Sequence, residues 1–134
     1  MQKATKPLLI VIGILQVVLW GVAPLLTSPW MADLHGITYP GEFVHFARYM
    51  GLCNLIWGLM LISIAFNPLK HSVVVTFSIL FYIATIVLTA LMMFWLGELS
   101  TGEWLWWLVM ALCAVYAILL IIFYPREEKT APTF

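Results

Sequence analysis

Four long apolar runs dominate the pattern of hydrophobic and polar positions along this chain. They cover about residues 7–27, 44–66, 72–96 and 104–124, and each is long enough to cross about 30 Å of hydrocarbon as a helix. Lipid offers the backbone no hydrogen-bond partner, so a spanning segment must be a helix or a strand of a closed barrel. Barrel strands alternate apolar and polar residues, whereas these runs are continuously apolar. The pattern predicts an all-α polytopic membrane protein, a bundle of four transmembrane helices.

The polar residues between the runs predict a single transmembrane domain over residues 1–134 with one sizeable loop. Residues 28–43 form this outer loop, and a Tyr-Pro-Gly turn is expected at residues 39–41. The other two connections are short, so the second and third helices, and the third and fourth, are expected to be antiparallel neighbours. Residues 125–134 form a tail.

The positions of the Lys and Arg residues predict the orientation in the membrane. Apart from Arg48, all of them lie in regions that four spans place on one side, namely Lys3, Lys6, Lys70, Arg126 and Lys129. Cytoplasmic segments carry an excess of Lys and Arg, so both termini and the tail are predicted to be cytoplasmic. The first run is longer than the apolar part of a signal peptide, and no small-residue cleavage site follows it, so it is expected to remain as a spanning helix.

Composition supports this class and excludes several functions. Hydrophobic residues make up 64% of the chain and charged residues 9%, far from the soluble balance of roughly half and a quarter. The formal net charge is zero, so the concentrated basic patch that nucleic-acid binding needs is not expected. Cys53 and Cys113 both lie inside apolar runs, which argues against a disulfide framework and against a zinc site.

Small residues in three of the runs predict close packing between helices. At about 100° per residue, Gly51 and Gly58 in the second run fall nearly in line. Gly13 in the first run and Ala111 and Ala114 in the fourth mark similar faces. Small residues let helix backbones approach closely, so we expect these faces to point into one bundle and the large aliphatic side chains to face lipid.

Two further features shape the first and third helices. Pro24 leaves the carbonyl of Trp20 without its helical donor, which predicts a bend near the end of the first helix. In the third run, polar side chains three and four residues apart form one stripe that is expected to face the bundle, namely Ser78, Tyr82, Thr85 and Thr89.

Arg48 lies about one turn into the second run, near its outer end. An arginine inside a membrane is costly and is therefore a candidate ligand site, here for an anion or a lipid headgroup. The alternative is a side chain that extends to the outer interface and pairs with an outer acid such as Glu42. Both interpretations remain open from the sequence.

Gln16 and Asn54 are the neutral polar residues nearest the middle of the membrane. They are candidates to line a path for a small solute, or to hydrogen-bond between helices with a contribution of about 0.6 kcal/mol each. The second interpretation is favoured. Because no Asp or Glu lies deep within any run, cation-coupled antiport, which needs a membrane carboxylate, is not expected.

The outer loop and the start of the second run contain the residues that would suit a metal ion. Asp33, His35, Glu42 and His45 are possible ligands for copper or zinc at the surface. They lack a tight ligand motif such as two His four residues apart on a helix, so no metal is predicted. Catalytic motifs are also missing from the sequence, and neither a catalytic residue nor a cofactor is expected.

The order of these features resembles a known family. A first helix that ends in a proline, LIVIGILQVVLWGVAPLL, precedes an outer loop, a second helix that opens with an arginine and glycines, ARYMGLCNLIWGLMLI, a tight basic turn and two more helices. The pattern is similar to that of the DoxX-like small four-helix bacterial membrane proteins. The resemblance implies a bacterial inner (plasma) membrane location and marks Arg48 and Gly51 as the recurrent positions. Some relatives are membrane subunits of quinone-linked oxidoreductases.

We therefore expect a small integral membrane protein without enzymatic activity, an accessory or assembly subunit of a larger membrane complex. Its partners would be the lipid bilayer and either other membrane subunits or further copies of itself, and no nucleic acid. Two alternatives stay open. One is a transporter-like oligomer that handles a small solute or a lipid through Arg48, and the other is a membrane subunit of a quinone-linked oxidoreductase.

Overall fold

The computed structural model describes residues 2–26, 40–96 and 104–126. Within these ranges the chain is helical and contains no strand, and four of its helices are long and apolar enough to cross a membrane. The predicted all-α class with four such helices is confirmed. The first helix, α1, consists of the consecutive segments Gln2–Leu15, Gln16–Val22 and Ala23–Leu25. The others are α2 at Pro40–Ile64, α3 at Ser72–Phe94 and α4 at Trp104–Ile122.

Helix α1 is continuous but changes its winding. It is α-helical over Gln2–Leu15, π-helical over Gln16–Val22 and α-helical again over Ala23–Leu25. The N–H of Ala23 donates to the carbonyl of Val18, five residues back. Proline has no N–H to donate, and in a regular helix its ring crowds the carbonyl four residues back. The irregularity expected at Pro24 therefore takes the form of a π segment that ends just before the proline.

Helix α2 begins at Pro40 rather than at the predicted start, Val44. The prediction of a turn at residues 39–41 is wrong at residues 40 and 41, because both belong to the first turn of α2. Proline is favoured at the first helical position because its fixed φ suits a helix and its missing N–H would have no helical partner there. Glu42, which was predicted to precede this helix, therefore lies on α2.

The four helices associate as two closely packed pairs. The Cα atoms of α1 approach those of α2, and the Cα atoms of α3 approach those of α4, whereas few come within 8 Å between α2 and α3 or between α1 and α4. The short turn between α2 and α3 thus joins helices whose backbones stay apart. The connection between α1 and α2 is the longest of the three, yet these two helices have the closest backbones.

Apolar side chains from all four helices form the core between the two pairs. The largest of its fully buried side chains are Leu9, Ile12, Leu61, Val75, Tyr82 and Leu120, each at most 1% exposed. Between 22% and 28% of the residues in each apolar span are buried inside the chain. Most residues of every span therefore keep part of their surface outside the bundle.

The face of α4 that packs into the bundle differs from the predicted one. Ala111 is exposed and Ala114 is only partly buried. The packed face instead carries larger side chains, namely Val109, Cys113, Tyr116, Ala117 and Leu120. These side chains fill the space between α4 and the rest of the bundle, which alanines would leave open.

Candidate functional site

A network of uncharged polar side chains lies at the middle of the helices. Gln16 is 1% exposed, and its Nε2 donates to Oδ1 of Asn54 at 2.6 Å. Its Oε1 accepts a hydrogen bond from the hydroxyl of Tyr82 at 3.1 Å. Asn54 in turn donates through Nδ2 to the carbonyl of Met50 at 2.8 Å, within its own helix. One glutamine of α1 thus connects α2 with α3, and we call Gln16, Asn54 and Tyr82 the mid-span network.

Glycines let Gln16 and Asn54 meet. A Cβ atom at Gly13 would lie 2.9 Å from the carbonyl oxygen of Gly58, and a Cβ at Gly58 would lie 2.8 Å from the carbonyl oxygen of Gly13. No real Cβ atom packs that closely. The backbones of α1 and α2 therefore touch at this point, and Asn54, one turn from Gly58 on α2, lies within reach of Gln16.

A second glycine pair repeats this contact nearer the other end of the two helices. A Cβ at Gly51 would lie 2.8 Å from the carbonyl oxygen of Gly21, and a Cβ at Gly21 would lie 2.9 Å from Cα of Leu55. Two further small residues, Ala47 on α2 and Ala65 directly after it, are also buried. Gly21 was missed in the sequence, although its position about two turns after Gly13 was a usable signal.

Aromatic rings extend the network towards α4. The rings of Tyr82 and Tyr116 make an edge contact with centroids 5.3 Å apart. Phe81 contacts Trp57 at 5.7 Å and so reaches α2. Among the residues that the structure describes, the buried hydroxyl of Tyr116 finds no hydrogen-bond partner. Tyr116 was not predicted as a site residue, although a hydroxyl inside a continuously apolar run is itself a signal.

The predicted stripe on α3 lies towards the interior. Ser78, Tyr82 and Thr89 are buried, and Thr85 is partly buried. Ser78 and Thr85 donate to carbonyls four residues back in their own helix, at 2.8 Å each, so these two hydroxyls satisfy themselves locally. Tyr82 is the member of the stripe that hydrogen-bonds to another helix.

Arg48 is exposed near the start of α2 and lies inside the apolar span Ala47–Ile64. His45, one turn earlier, is also exposed. The acid proposed as a partner, Glu42, lies on α2, but its side chain is outside the described part of the structure. Pairing of Arg48, its binding of an anion, and its extension to the interface all remain predictions.

The candidate metal ligands are not brought together in the described residues. Asp33 and His35 lie outside these residues, as does the side chain of Glu42. Within residues 2–26, 40–96 and 104–126, no group of three or more His, Cys, Asp or Glu side chains is placed to hold a metal ion. The low-ranked metal hypothesis gains no support from the described part.

Polar contacts also close the end of the bundle that carries both described chain ends. The hydroxyl of Thr5 donates to the carbonyl of Phe123 at 2.9 Å, which joins α1 to the residues after α4. The hydroxyl of Tyr124 lies 2.8 Å from that of Thr76 and donates to the carbonyl of Ser72 at 3.3 Å. We call this end, formed by the first turns of α1, the 65–71 connection and residues 123–126, the terminal face.

Fold and site together define a class of protein. It is a small all-α protein whose four long helices are apolar enough to cross a membrane, with an uncharged hydrogen-bond network at their middle. No family model, curated protein or solved structure matches the chain. The resemblance to the DoxX-like proteins therefore stays a prediction, and so does the role that it gives to Arg48.

Proposed function

We propose that this protein is a non-enzymatic accessory or assembly subunit of a larger complex in the bacterial inner membrane. The observation that carries the proposal is the contrast between interior and surface. The side chains of the mid-span network hydrogen-bond to one another, while at most 28% of the residues in any span are buried. The interior polar groups of such a bundle are engaged with one another, and its outer surface is large and apolar.

The described cavities support a structural role. Two cavities of about 410 and 320 Å³ lie along α3 and the residues just after it, lined by side chains such as Val87, Leu91 and Trp95, which are exposed. They are apolar and open rather than enclosed between helices. A path for a small solute would need polar groups that line an interior channel. The side chains of Gln16 and Asn54 instead hydrogen-bond to each other.

The orientation forms part of the proposal. Five of the six Lys and Arg residues belong to the side of the two termini, which supports a cytoplasmic location for both ends. Arg48 then lies towards the opposite face. The similarity to the DoxX-like proteins supports the inner membrane as the compartment.

Site-specific photocrosslinking in intact membranes tests this function. A photoreactive phenylalanine analogue is placed singly at one outward position on each helix, at Val18, Ile56, Val87 and Ile118, which are all 52–58% exposed. We expect at least one of the four positions to crosslink to a different protein, while the others crosslink to lipid. The control is the same analogue at the buried position Val75, which should give no intermolecular product.

Two outcomes would contradict the proposal. The first is that all four positions crosslink to lipid alone and that the protein purifies as a monomer in mild detergent. This result would show that no partner protein is bound. Crosslinks only between copies of this chain would favour the transporter-like oligomer over a subunit of a larger complex.

A further inference from the structure

Exposed basic side chains from three separate segments belong to the terminal face. Lys6 comes from the first turns of α1, Lys70 and His71 come from the connection between α2 and α3, and Arg126 follows α4. All four side chains are exposed. Far apart in sequence, they reach one end of the bundle only because the helices fold back on one another.

Contacts on the terminal face hold these segments together. The ammonium of Lys6 lies over the ring of Phe66, 4.8 Å from its centroid. The side chain of Asn67 accepts a hydrogen bond from the backbone N–H of Lys70 at 3.4 Å, which shapes the connection. Together with the hydrogen bond from Thr5 to the residues after α4, these contacts fix the backbone positions from which the cations project.

The basic side chains lie near the ends of the apolar spans, where a bilayer that these helices crossed would have its headgroups. The apolar spans end at Ala4, Ile64, Ser72 and Ile122 on this side, and the cations lie within a few residues of these ends. Apolar side chains are exposed beside them, with Phe66 at 70% and Leu69 at 39%. Cations next to exposed apolar groups at a span boundary complement a phosphate attached to an acyl-bearing glycerol.

We propose that the terminal face binds the phosphate of an anionic phospholipid in the leaflet that it meets. The ammonium groups of Lys6 and Lys70 and the guanidinium of Arg126 supply charge-assisted hydrogen-bond donors, and Phe66 lies beside the upper acyl chain. An acidic protein segment would satisfy the cations but would leave the exposed Phe66 and Leu69 without a matching surface. The site goes beyond the subunit function and depends neither on it nor on which leaflet is cytoplasmic.

Lipid titration of the purified full chain in neutral detergent tests this site. The probe is phosphatidylglycerol, with phosphatidylcholine as the uncharged comparison, and binding is counted by native mass spectrometry. We expect phosphatidylglycerol to bind more tightly than phosphatidylcholine. The double variant Lys6→Gln/Lys70→Gln should weaken phosphatidylglycerol binding by about five-fold for each lysine removed.

A matched control separates the loss of charge from the substitution itself. Lys6→Arg/Lys70→Arg keeps both positive charges and should retain phosphatidylglycerol binding. Equal binding of the two lipids, an unchanged Lys6→Gln/Lys70→Gln variant, or an equal loss in Lys6→Arg/Lys70→Arg would overturn the proposal. So would displacement of phosphatidylglycerol by millimolar inorganic phosphate, because the site would then recognise free phosphate rather than a lipid.

Discussion

The α1–α2 pair and the α3–α4 pair are held together in different ways. Between α1 and α2, two glycine pairs bring backbone against backbone, with Gly13 on Gly58 and Gly21 on Gly51. Between α3 and α4, rings fill the space instead, as in the edge contact of Tyr82 with Tyr116. The α1–α2 interface has no room for larger side chains at its glycines. The α3–α4 interface is filled by large aromatic side chains.

The difference follows from what drives helix association in lipid. Lipid tails are as apolar as leucine, so burying an apolar side chain between helices gives little advantage over leaving it in lipid, and packing and hydrogen bonds decide. Glycines improve packing because they let two helix backbones touch. Aromatic rings improve it through their large contact area and their edge contacts. Gln16 connects the two pairs because it contacts α2 through Asn54 and α3 through Tyr82.

The largest effect is expected from filling a glycine contact. Gly58→Leu places atoms where the carbonyl of Gly13 and the side chain of Val17 already lie, so the α1–α2 pair must separate, at about 3 kcal/mol or more of unfolding free energy. Denaturant unfolding in micelles, followed by tryptophan fluorescence, measures this loss. The matched control is Ala111→Leu on the exposed face of α4, expected within about 0.5 kcal/mol of the wild type. Similar losses in both variants would contradict the assignment of the two faces.

The next effect is expected from removing the connection between the pairs. Gln16→Leu keeps an apolar side chain of comparable size but removes two hydrogen bonds between helices, those to Asn54 and Tyr82. At about 0.6 kcal/mol for each such bond in a membrane, the same unfolding measurement should show a loss of about 1 kcal/mol. The double variant Gln16→Leu/Asn54→Leu should lose little more than Gln16→Leu alone, and fully additive losses would contradict a shared bond.

Two tyrosines in one ring contact should respond differently to the loss of the hydroxyl. Tyr82→Phe removes the bond to Gln16 and should cost about 0.6 kcal/mol. Tyr116→Phe removes a buried hydroxyl that has no partner among the described residues, so stability should stay equal or rise, because an unpaired buried hydroxyl is unfavourable. The two variants serve as controls for each other, and a larger loss for Tyr116→Phe would show that its hydroxyl has a partner.

The smallest effect is expected where the terminal face joins α1 to the segment after α4. Thr5→Val removes the hydrogen bond to the carbonyl of Phe123 and should cost about 0.5 kcal/mol. Thr85→Val removes only a bond within α3 and should be nearly neutral. Proteolysis of residues 123–134 in micelles gives a second measurement, and it should become faster in Thr5→Val only.

Much of the fold could be predicted because the signals are local. Apolar runs of this length predict four helices that are long enough to cross a membrane, and the alignment of Gly51 with Gly58 on one helix marks its close-packed side. The partners of these glycines could not be derived, since the register between two helices depends on their three-dimensional approach. The same limit explains why the prediction for Ala111 was wrong. Its small size suggested a packed face of α4, but Tyr116 packs into the bundle and Ala111 is exposed.

The candidate site was predictable in its members but not in its connections. Gln16 and Asn54 stood out because polar residues are rare in these runs, and a bond between helices was the favoured interpretation. That Tyr82 completes the network depends on how the second pair sits on the first, which no local pattern encodes. Arg48 lies on an exposed turn near the start of α2, and its predicted role stays a prediction.

The π segment of α1 also solves a problem of length. Gly21 follows Gly13 by eight positions, yet their partners Gly51 and Gly58 are only seven positions apart. At about 1.5 Å per residue, eight α-helical residues would overshoot seven by roughly one residue's rise. The wider winding over Gln16–Val22 takes up the surplus residue, so that both glycine pairs stay aligned. A chain shortened by one residue at Val18 should therefore keep both glycine pairs in register, whereas the same deletion at Ile56 would double the mismatch.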